Sequence, residues 1–411
     1  MRSINLFNKH GIFCIVSTWF ILTQTLPFFN VYVPVSPVLI YPIFLAICFM
    51  LFPGLFEKKT IKYQFFYVLI AFFFFLLGNP FYGQIGRVTT PLLLMTAGLV
   101  IIEYTLKYDL DYKYTRLVVY TVILTNIIMT ILSYPQILAF PNIIRYAFSS
   151  AYSDRYMNEI PWLIQYETCH GLPLLFAPLA FLCRRLFQKK VFLFWLFLLI
   201  AFVLFGIVYL SNATTALILA SLMIILGYFF DYEEINRKNA YGVIFIFLLG
   251  LLLTSKTVMI PILDGVQTVM DESWSNYHKI EELKTNLLTG ESEGDLEERE
   301  DMYTSSLMLF GESPIIGTSK PEKLSHHSFF LDRLACLGIF LVIPLALVFV
   351  YNYKSVFKGL VHAKIVYMYG FFGWMLLLTL KADFGQGSWL YGFAFLPLFC
   401  RYVDYTIDNK K

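Results

Sequence analysis

Charged residues are scarce in this chain. Only 14% of its 411 residues are Asp, Glu, Lys or Arg, whereas 58% are hydrophobic. Soluble domains carry about 25% charged residues, and a soluble core of this length could not bury so much apolar surface. The deficit excludes an ordinary soluble protein and favours a chain whose apolar surface faces lipid. The net charge of +3 is too small to suggest nucleic acid as a partner.

Cysteine is also rare, and its spacing indicates no metal centre. The six cysteines form no Cys-x-x-Cys pair and no metal-ligand pattern, and acidic or His clusters with ligand spacing are lacking as well. We therefore expect no metal and no cofactor. Cys169 and Cys336 are both predicted near the outer face, so depth allows a disulfide between them, although nothing else in the sequence brings them together.

Long apolar runs, in contrast, are abundant. The first, 11–29, is too long for a cleaved signal peptide and lacks a small-residue cleavage site, so we interpret it as a retained helix. Runs long enough to cross a bilayer fall at 11–29, 33–53, 64–79, 88–106, 117–134, 171–183, 191–210, 212–230, 240–256, 329–351, 364–380 and 387–402. The sequence thus predicts an all-α integral membrane protein of about 12 transmembrane helices, forming one polytopic domain over 1–411.

The Lys and Arg residues alternate between the connecting segments. Most of the 31 fall on one side if there are twelve spans: Arg2, Lys9, Lys58, Lys59, Lys62, Lys107, Lys113, Arg116, Arg184, Arg185, Lys189, Lys190, Arg237, Lys238, Lys354, Lys358, Lys364, Arg401, Lys410 and Lys411. The positive-inside rule assigns that side, with both termini, to the cytoplasm. Two long loops remain on the outer side, at about 135–170 and 257–328. The larger one lies between predicted helices 9 and 10.

The larger outer loop contains two predicted helices. Apolar and aromatic residues recur at helical spacing in the first: Trp274, Tyr277, Ile280, Leu283 and Leu287. The second begins at Asp295, with Glu298 placed as in a capping box. One stripe of this second helix, which we predict to face inward, contains Leu296, Arg299, Tyr303, Leu307 and Phe310.

Two features of this loop carry charge or titratable groups in unusual places. Arg299 lies on the apolar stripe, where it either snorkels and neutralises neighbouring acids or meets a phosphate. His326-His327-Ser328 stands at the entrance to the tenth span, with Asp332 and Arg333 just inside it as expected for interface anchors. The adjacent histidines have no third ligand at a sensible spacing, so a metal site is not expected.

The stretch from Arg299 to Gly317 resembles the bacterial O-antigen polymerase and ligase family. In that family an Arg opens a helix that runs into a Ser-Pro-x-x-Gly turn, here Ser313-Pro-Ile-Ile-Gly317. A His followed by Ser or Asn comes next, here His327-Ser328, and then a helix with Gly near its start, here Gly338. Ligases have Gly, Thr or Tyr three residues later, whereas this chain has Leu341, which favours the polymerase.

A second family segment is only partly present. The family opens a span with Ser-Arg after a short outer turn, whereas this chain has Leu210-Ser-Asn-Ala-Thr-Thr-Ala-Leu217, with Thr214 nearest to the missing Arg. One phosphate-binding cation must therefore come from elsewhere if the resemblance holds. Arg87, Arg145 and Arg155 are the candidates, although each also fits an ordinary loop or interface charge.

The resemblance implies a GT-C-like helical fold and metal-independent glycosyl transfer at the outer face of the bacterial plasma membrane. The substrate would be an oligosaccharide on undecaprenyl diphosphate, and the partners would be membrane lipid, a chain-length regulator and a flippase. Arg299 would bind the diphosphate, His327 would act as base or bind it, and Tyr303 would contact the substrate. Glu167 and His170 are a second acid/base pair, or ordinary residues of a solvated loop.

Three alternatives stay open at this level. A ligase or oligosaccharyltransferase would use the same donor but move the glycan to lipid A core or to protein. A transporter or flippase of lipid-linked glycan would place ionisable residues at mid-membrane and show internal repeats, neither of which is evident. A receptor or structural membrane protein is the remaining class. The polymerase, making O-antigen, capsule or exopolysaccharide, is the expectation that the motif favours.

Overall fold

Helices make up the described structure. The computed structural model describes residues 8–26, 37–76, 85–140, 143–144, 160, 162–187, 190–211, 213–229, 256–268, 270, 272, 275–289, 295–318, 324, 328–380 and 389–408, and no β-strand occurs among them. The α-helices are α1 Lys9–Thr25, α2 Pro37–Leu51, α3 Lys59–Leu76, α4 Ile85–Tyr108, α5 Lys113–Ala139, α6 Tyr166–Gly171, α7 Pro173–Phe187, α8 Val191–Leu210, α9 Thr214–Phe229, α10 Lys256–Gln267, α11 Ser275–Thr289, α12 Asp295–Glu312, α13 Phe329–Gly359, α14 Lys364–Leu380 and α15 Leu396–Asp408. A π-helical segment, Tyr391–Phe395, leads directly into α15.

The helices coincide with the predicted apolar runs. Each run overlaps one of them except 240–256, which lies outside the described residues apart from its last position. The two predicted loop helices are confirmed as α11 and α12, whereas α10 was not predicted. By length and composition α5 and α8 can each cross a membrane, and the two arms of α13 make a third span if they are counted together. The chain therefore has the character of an all-α membrane protein.

One end of the bundle, here called the basic end, is held by buried carboxylates. Asp404 accepts hydrogen bonds from the backbone amides of the segment Val361–Ala363, at 2.7, 2.9 and 2.7 Å. Burial raises the pKa of the Asp404 carboxyl, and these three amides oppose that rise. Glu103 in α4 accepts from Thr60 at 2.9 Å and from Ser355 at 3.3 Å, which joins α3, α4 and α13.

The opposite end, here called the loop end, is joined by weaker polar contacts. Tyr41 of α2 donates to the Gln24 side chain of α1 at 2.8 Å. The amide of Ile164 donates to Ser133 Oγ of α5 at 2.8 Å, which fixes the segment leading into α6. The last turn of α1 thus meets the start of α2, and the first turn of α3 meets the last two turns of α4, so the helices of each pair run antiparallel.

Candidate functional site

Helix α12 packs through a face centred on small and apolar residues. Ser306 and Leu309 are buried, whereas Leu307 is 50% exposed. The predicted stripe was therefore wrong at Leu307. Arg299 precedes Ser306 by two helical turns and shares its face of the helix, although the Arg299 side chain lies outside the described structure. Tyr303, one turn from Arg299, donates its hydroxyl to the carbonyl oxygen of Leu380 at 2.9 Å and so ties α12 to the loop end of α14.

Helix α13, which covers the predicted tenth run 329–351, is broken. Gly338 has φ 61° and ψ −178°, a conformation open essentially to glycine alone. The arms Phe329–Phe340 and Val342–Gly359 meet at 114°. The first arm therefore turns back across the bundle instead of continuing the line of the second.

The turn after α12 fills this break. The amide of Thr318 donates to the carbonyl oxygen of Ala335 at 2.7 Å. In the other direction the amides of Ile339 and Phe340 donate to the carbonyl oxygens of Pro314 and Ile315, at 2.9 and 3.3 Å. Backbone groups released by a helix break need partners wherever water is excluded. The Ser-Pro-x-x-Gly turn supplies them here.

Two glycines permit this contact, and we call it the Gly317–Gly338 junction. Gly317 has φ +81°, also in the left-handed half of backbone space. A Cβ atom on Gly317 would lie 2.7 Å from the amide nitrogen of Leu337, and one on Gly338 would lie 2.7 Å from the amide nitrogen of Gly317. Real side chains do not approach backbone atoms this closely, so both positions require glycine.

Polar side chains lie at the start of the first arm of α13. Ser328 is the N-cap, and its Oγ accepts from the amide of Leu331 at 3.3 Å. Asp332 accepts from Ser306 Oγ at 2.8 Å, which joins the first arm to α12. The guanidinium of Arg333 lies 5.2 Å from the centre of the Phe329 ring. A helix N-terminus carries partial positive charge, so this group of residues combines it with one cation and one anion.

This polar group is inside the bundle and not at its rim. Asp332 and Arg333 are only 8% and 9% exposed. The ring of Phe329 lies 5.0 Å from that of Trp389, and the ring of Phe330 lies 5.8 Å from that of Phe349. Since Phe349 is about 10 Å of helical rise beyond the break, the first arm packs back beside the second. The interpretation of Asp332 and Arg333 as interface anchors does not fit this burial.

Glu167 and His170 lie together on the short helix α6. His170 is fully buried, and its Nδ1 donates to the carbonyl oxygen of Tyr166 at 3.0 Å. Glu167 is half-buried and close enough to Tyr41 to act on it electrostatically. His170 is thus not part of a solvated loop.

The other candidates are described only in part. Arg87 occupies the first turn of α4, but its side chain is not described, and Arg145, Arg155 and His327 lie outside the described residues. His327 directly precedes the N-cap of α13 in sequence. Sequence reasoning passed over Arg333 as a candidate for binding anions. The sequence feature that could have identified Arg333 is the pair Asp332–Arg333 inside an apolar run, because charged residues in a membrane are costly and usually functional.

The cysteines and the possible metal ligands add no second site. All six thiols are free and buried, so the Cys169–Cys336 pair is not a disulfide. Among the described residues, no three His, Cys, Asp or Glu side chains are grouped as a metal ion would need.

Comparison of the chain with protein-family models, with curated proteins and with solved structures gave no match. The resemblance to the O-antigen polymerase and ligase family therefore rests on the motif residues quoted above.

Proposed function

We propose that this chain is a glycosyltransferase that polymerises lipid-linked oligosaccharide repeat units for a surface polysaccharide. The observation that carries the proposal is the Gly317–Gly338 junction. Two motif segments that are separate in sequence lie in direct backbone contact, and α12 is held against the polar start of α13. The proposal includes a twelve-span, GT-C-like protein of the bacterial plasma membrane, with both termini in the cytoplasm and the loop end outside.

The proposed reaction needs a base and a site for a diphosphate. A sugar hydroxyl of one lipid-linked unit attacks the anomeric carbon of the glycan on undecaprenyl diphosphate, and a glycosidic C–O bond forms. The C–O bond to the diphosphate breaks, the lipid diphosphate leaves with the electron pair, and the hydroxyl proton passes to the base. Negative charge grows on the leaving group, so fixed cations and a helix N-terminus accelerate the step.

Side chains of α12 and of the start of α13 take these roles in the proposal. Arg299 shares the packed face of α12 with Ser306, and Ser306 contacts Asp332 at the start of α13. Arg299 binds the diphosphate through its bidentate fork, and Arg333 adds a second cation on the first arm. His327, next to the N-cap Ser328, takes the acceptor proton. Tyr303 holds α12 in place through Leu380.

A second candidate function, a flippase of lipid-linked glycan, is favoured by one specific feature. Transporters commonly bind anionic groups at the N-termini of broken helices inside the bundle, and α13 is a broken helix with a buried polar N-terminus. The ligase has no comparable observation in its favour, because Leu341 departs from the ligase pattern.

Deletion of the gene in its host, followed by gel analysis of the surface glycan, tests the proposal. A polymerase mutant makes surface product with a single repeat unit. Polymer stranded on the lipid carrier indicates a ligase, and single units trapped on the cytoplasmic side of the membrane indicate a flippase. Either of these last two results contradicts the proposal.

A further inference from the structure

Large apolar side chains converge on the outside of the Gly317–Gly338 junction. We call this group the junction patch, and each member is between 49% and 68% exposed: Ile315, Ile316, Ile339, Phe340 and Ile343. The first two belong to the turn, and the others belong to α13 on either side of the break. The hydrogen bond from the Phe340 amide to the Ile315 carbonyl oxygen holds the two parts together.

The patch continues along the second arm of α13. Ile343, Ala346 and Val350 are exposed at helical spacing, and the stripe ends at the exposed Lys354. A lysine that closes an apolar stripe marks the level where the stripe leaves the hydrocarbon. Ile343 lies about 16 Å of helical rise from Lys354. The hydrocarbon core is about 30 Å thick, so a helix that enters the core near Lys354 is still inside it at Ile343.

The turn pairs three of the backbone groups at the break. A break in a helix normally leaves amide and carbonyl groups to be solvated, and that would exclude it from hydrocarbon. Here the amides of Ile339 and Phe340 and the carbonyl oxygen of Ala335 all bond to the turn. The polar side chains of the site, Ser306 and Asp332 among them, are buried on the inner side of the junction.

Ile343 lies at a depth within the hydrocarbon, the patch continues the exposed apolar stripe of α13, and backbone groups at the break are paired with the turn. From these three observations we infer that the junction patch is embedded in the bilayer and covered by lipid acyl chains. The turn Ser313–Thr318 is therefore a re-entrant element, although the sequence places it in an aqueous outer loop. This inference is independent of the proposed function. Its consequence is that the junction can be reached sideways from the membrane.

The experiment is fluorescence quenching in vesicles with a polarity-sensitive thiol probe on Ile316→Cys, and on Ile315→Cys as a second position. All six native thiols are buried, so the unmodified protein serves as the labelling blank. Phe202→Cys, at a site 75% exposed in the middle of α8, is the lipid-facing control. Glu281→Cys, whose side chain is 63% exposed on α11, is the aqueous control.

We expect phospholipids with a nitroxide on the acyl chain to quench the probe at position 316 as strongly as at position 202. Iodide in the buffer should quench it several-fold less than at position 281. Quenching by iodide at the level of position 281 would overturn the inference. So would a probe that neither agent reaches, because a second copy of the chain or another protein segment would then cover the patch.

Discussion

Gly317 and Gly338 lie so close together that neither position has room for a side chain. A Cβ on Gly338 would be 2.7 Å from the amide nitrogen of Gly317, and both glycines have positive φ angles. One ends the turn after α12 and the other breaks α13. Their contact is what brings the two halves of the candidate site together.

Gly338→Ala should therefore disrupt the fold. The substitution forces alanine into a conformation reserved for glycine and drives its methyl group into the turn, at a cost of about 3 kcal/mol or more in the free energy of unfolding. Gly311→Ala is the matched control, because a Cβ there meets no atom within 4 Å. Thermal melting in detergent compares the two variants. Equal melting temperatures would show that the junction is not needed.

The contact between α12 and the first arm of α13 should be detectable in the same assay. Ser306→Ala removes the hydroxyl that donates to the buried Asp332 carboxylate. Loss of a donor to a buried carboxylate costs about 1–3 kcal/mol. Thr304→Ala, at an exposed position of the same helix, should change the free energy of unfolding by less than about 0.5 kcal/mol. If both variants melt alike, the hydrogen bond does not stabilise the site.

Asp404 should be the most important carboxylate of the basic end. Asp404→Ala removes every acceptor oxygen for three backbone amides, so we expect a loss of about 1–3 kcal/mol in the free energy of unfolding. Asp408→Ala is the control, because the Asp408 side chain is 54% exposed and pairs with His362 near the surface. Chemical or thermal unfolding of the two variants at neutral pH makes the comparison.

The pH dependence of the free energy of unfolding provides a second test of Asp404. Burial raises the pKa of its carboxyl in the folded protein, so the folded state binds the proton more tightly than the unfolded state. Its contribution to stability is therefore greatest below the unfolded pKa and falls as the pH rises through the folded pKa. Asp404→Asn should remove this fall. A variant with the same pH profile as the unmodified protein would contradict the assignment.

The position of the helices could be predicted from sequence, but the break in α13 could not. Apolar runs and basic loops mark where spans lie, because both patterns are local. The conformation of Gly338 depends instead on its contact with Gly317 across the turn. Likewise, Asp404 binds amides more than forty residues away in sequence, at Val361–Ala363. Hydrophobic periodicity detects neither kind of contact.

The error at Leu307 has a different physical origin. In a soluble helix an apolar stripe identifies the buried face. The apolar pattern alone does not show which of these residues has a packing partner, so Leu307 fits the stripe although it is exposed. The small polar residue Ser306 marks the packed face in this helix, and it does so because it has a buried partner.

The twelve-span topology predicts opposite labelling of two loop positions. Gln188→Cys should react with an impermeant thiol reagent only after the cells are opened, and Ser292→Cys should react in intact cells. The reason is the concentration of Lys and Arg on one set of loops. The unmodified protein, whose thiols are buried, is the blank. The reverse labelling would overturn the orientation, and with it the outer location of the site.

The chemistry at the junction is tested most directly by the length of the glycan made by Arg299 and His327 variants in the deletion host. Arg299→Ala should abolish polymer while the protein accumulates normally in the membrane, and Arg299→Lys should restore it only in part, because lysine keeps the charge but loses the bidentate fork. His327→Ala should be severe and His326→Ala mild. Loss of one aligned, charge-assisted contact should lower the rate of glycosyl transfer about thirty- to a thousandfold. Single-unit product from Arg299→Ala at normal protein abundance is the predicted result, and polymer of normal length from that variant would contradict the account.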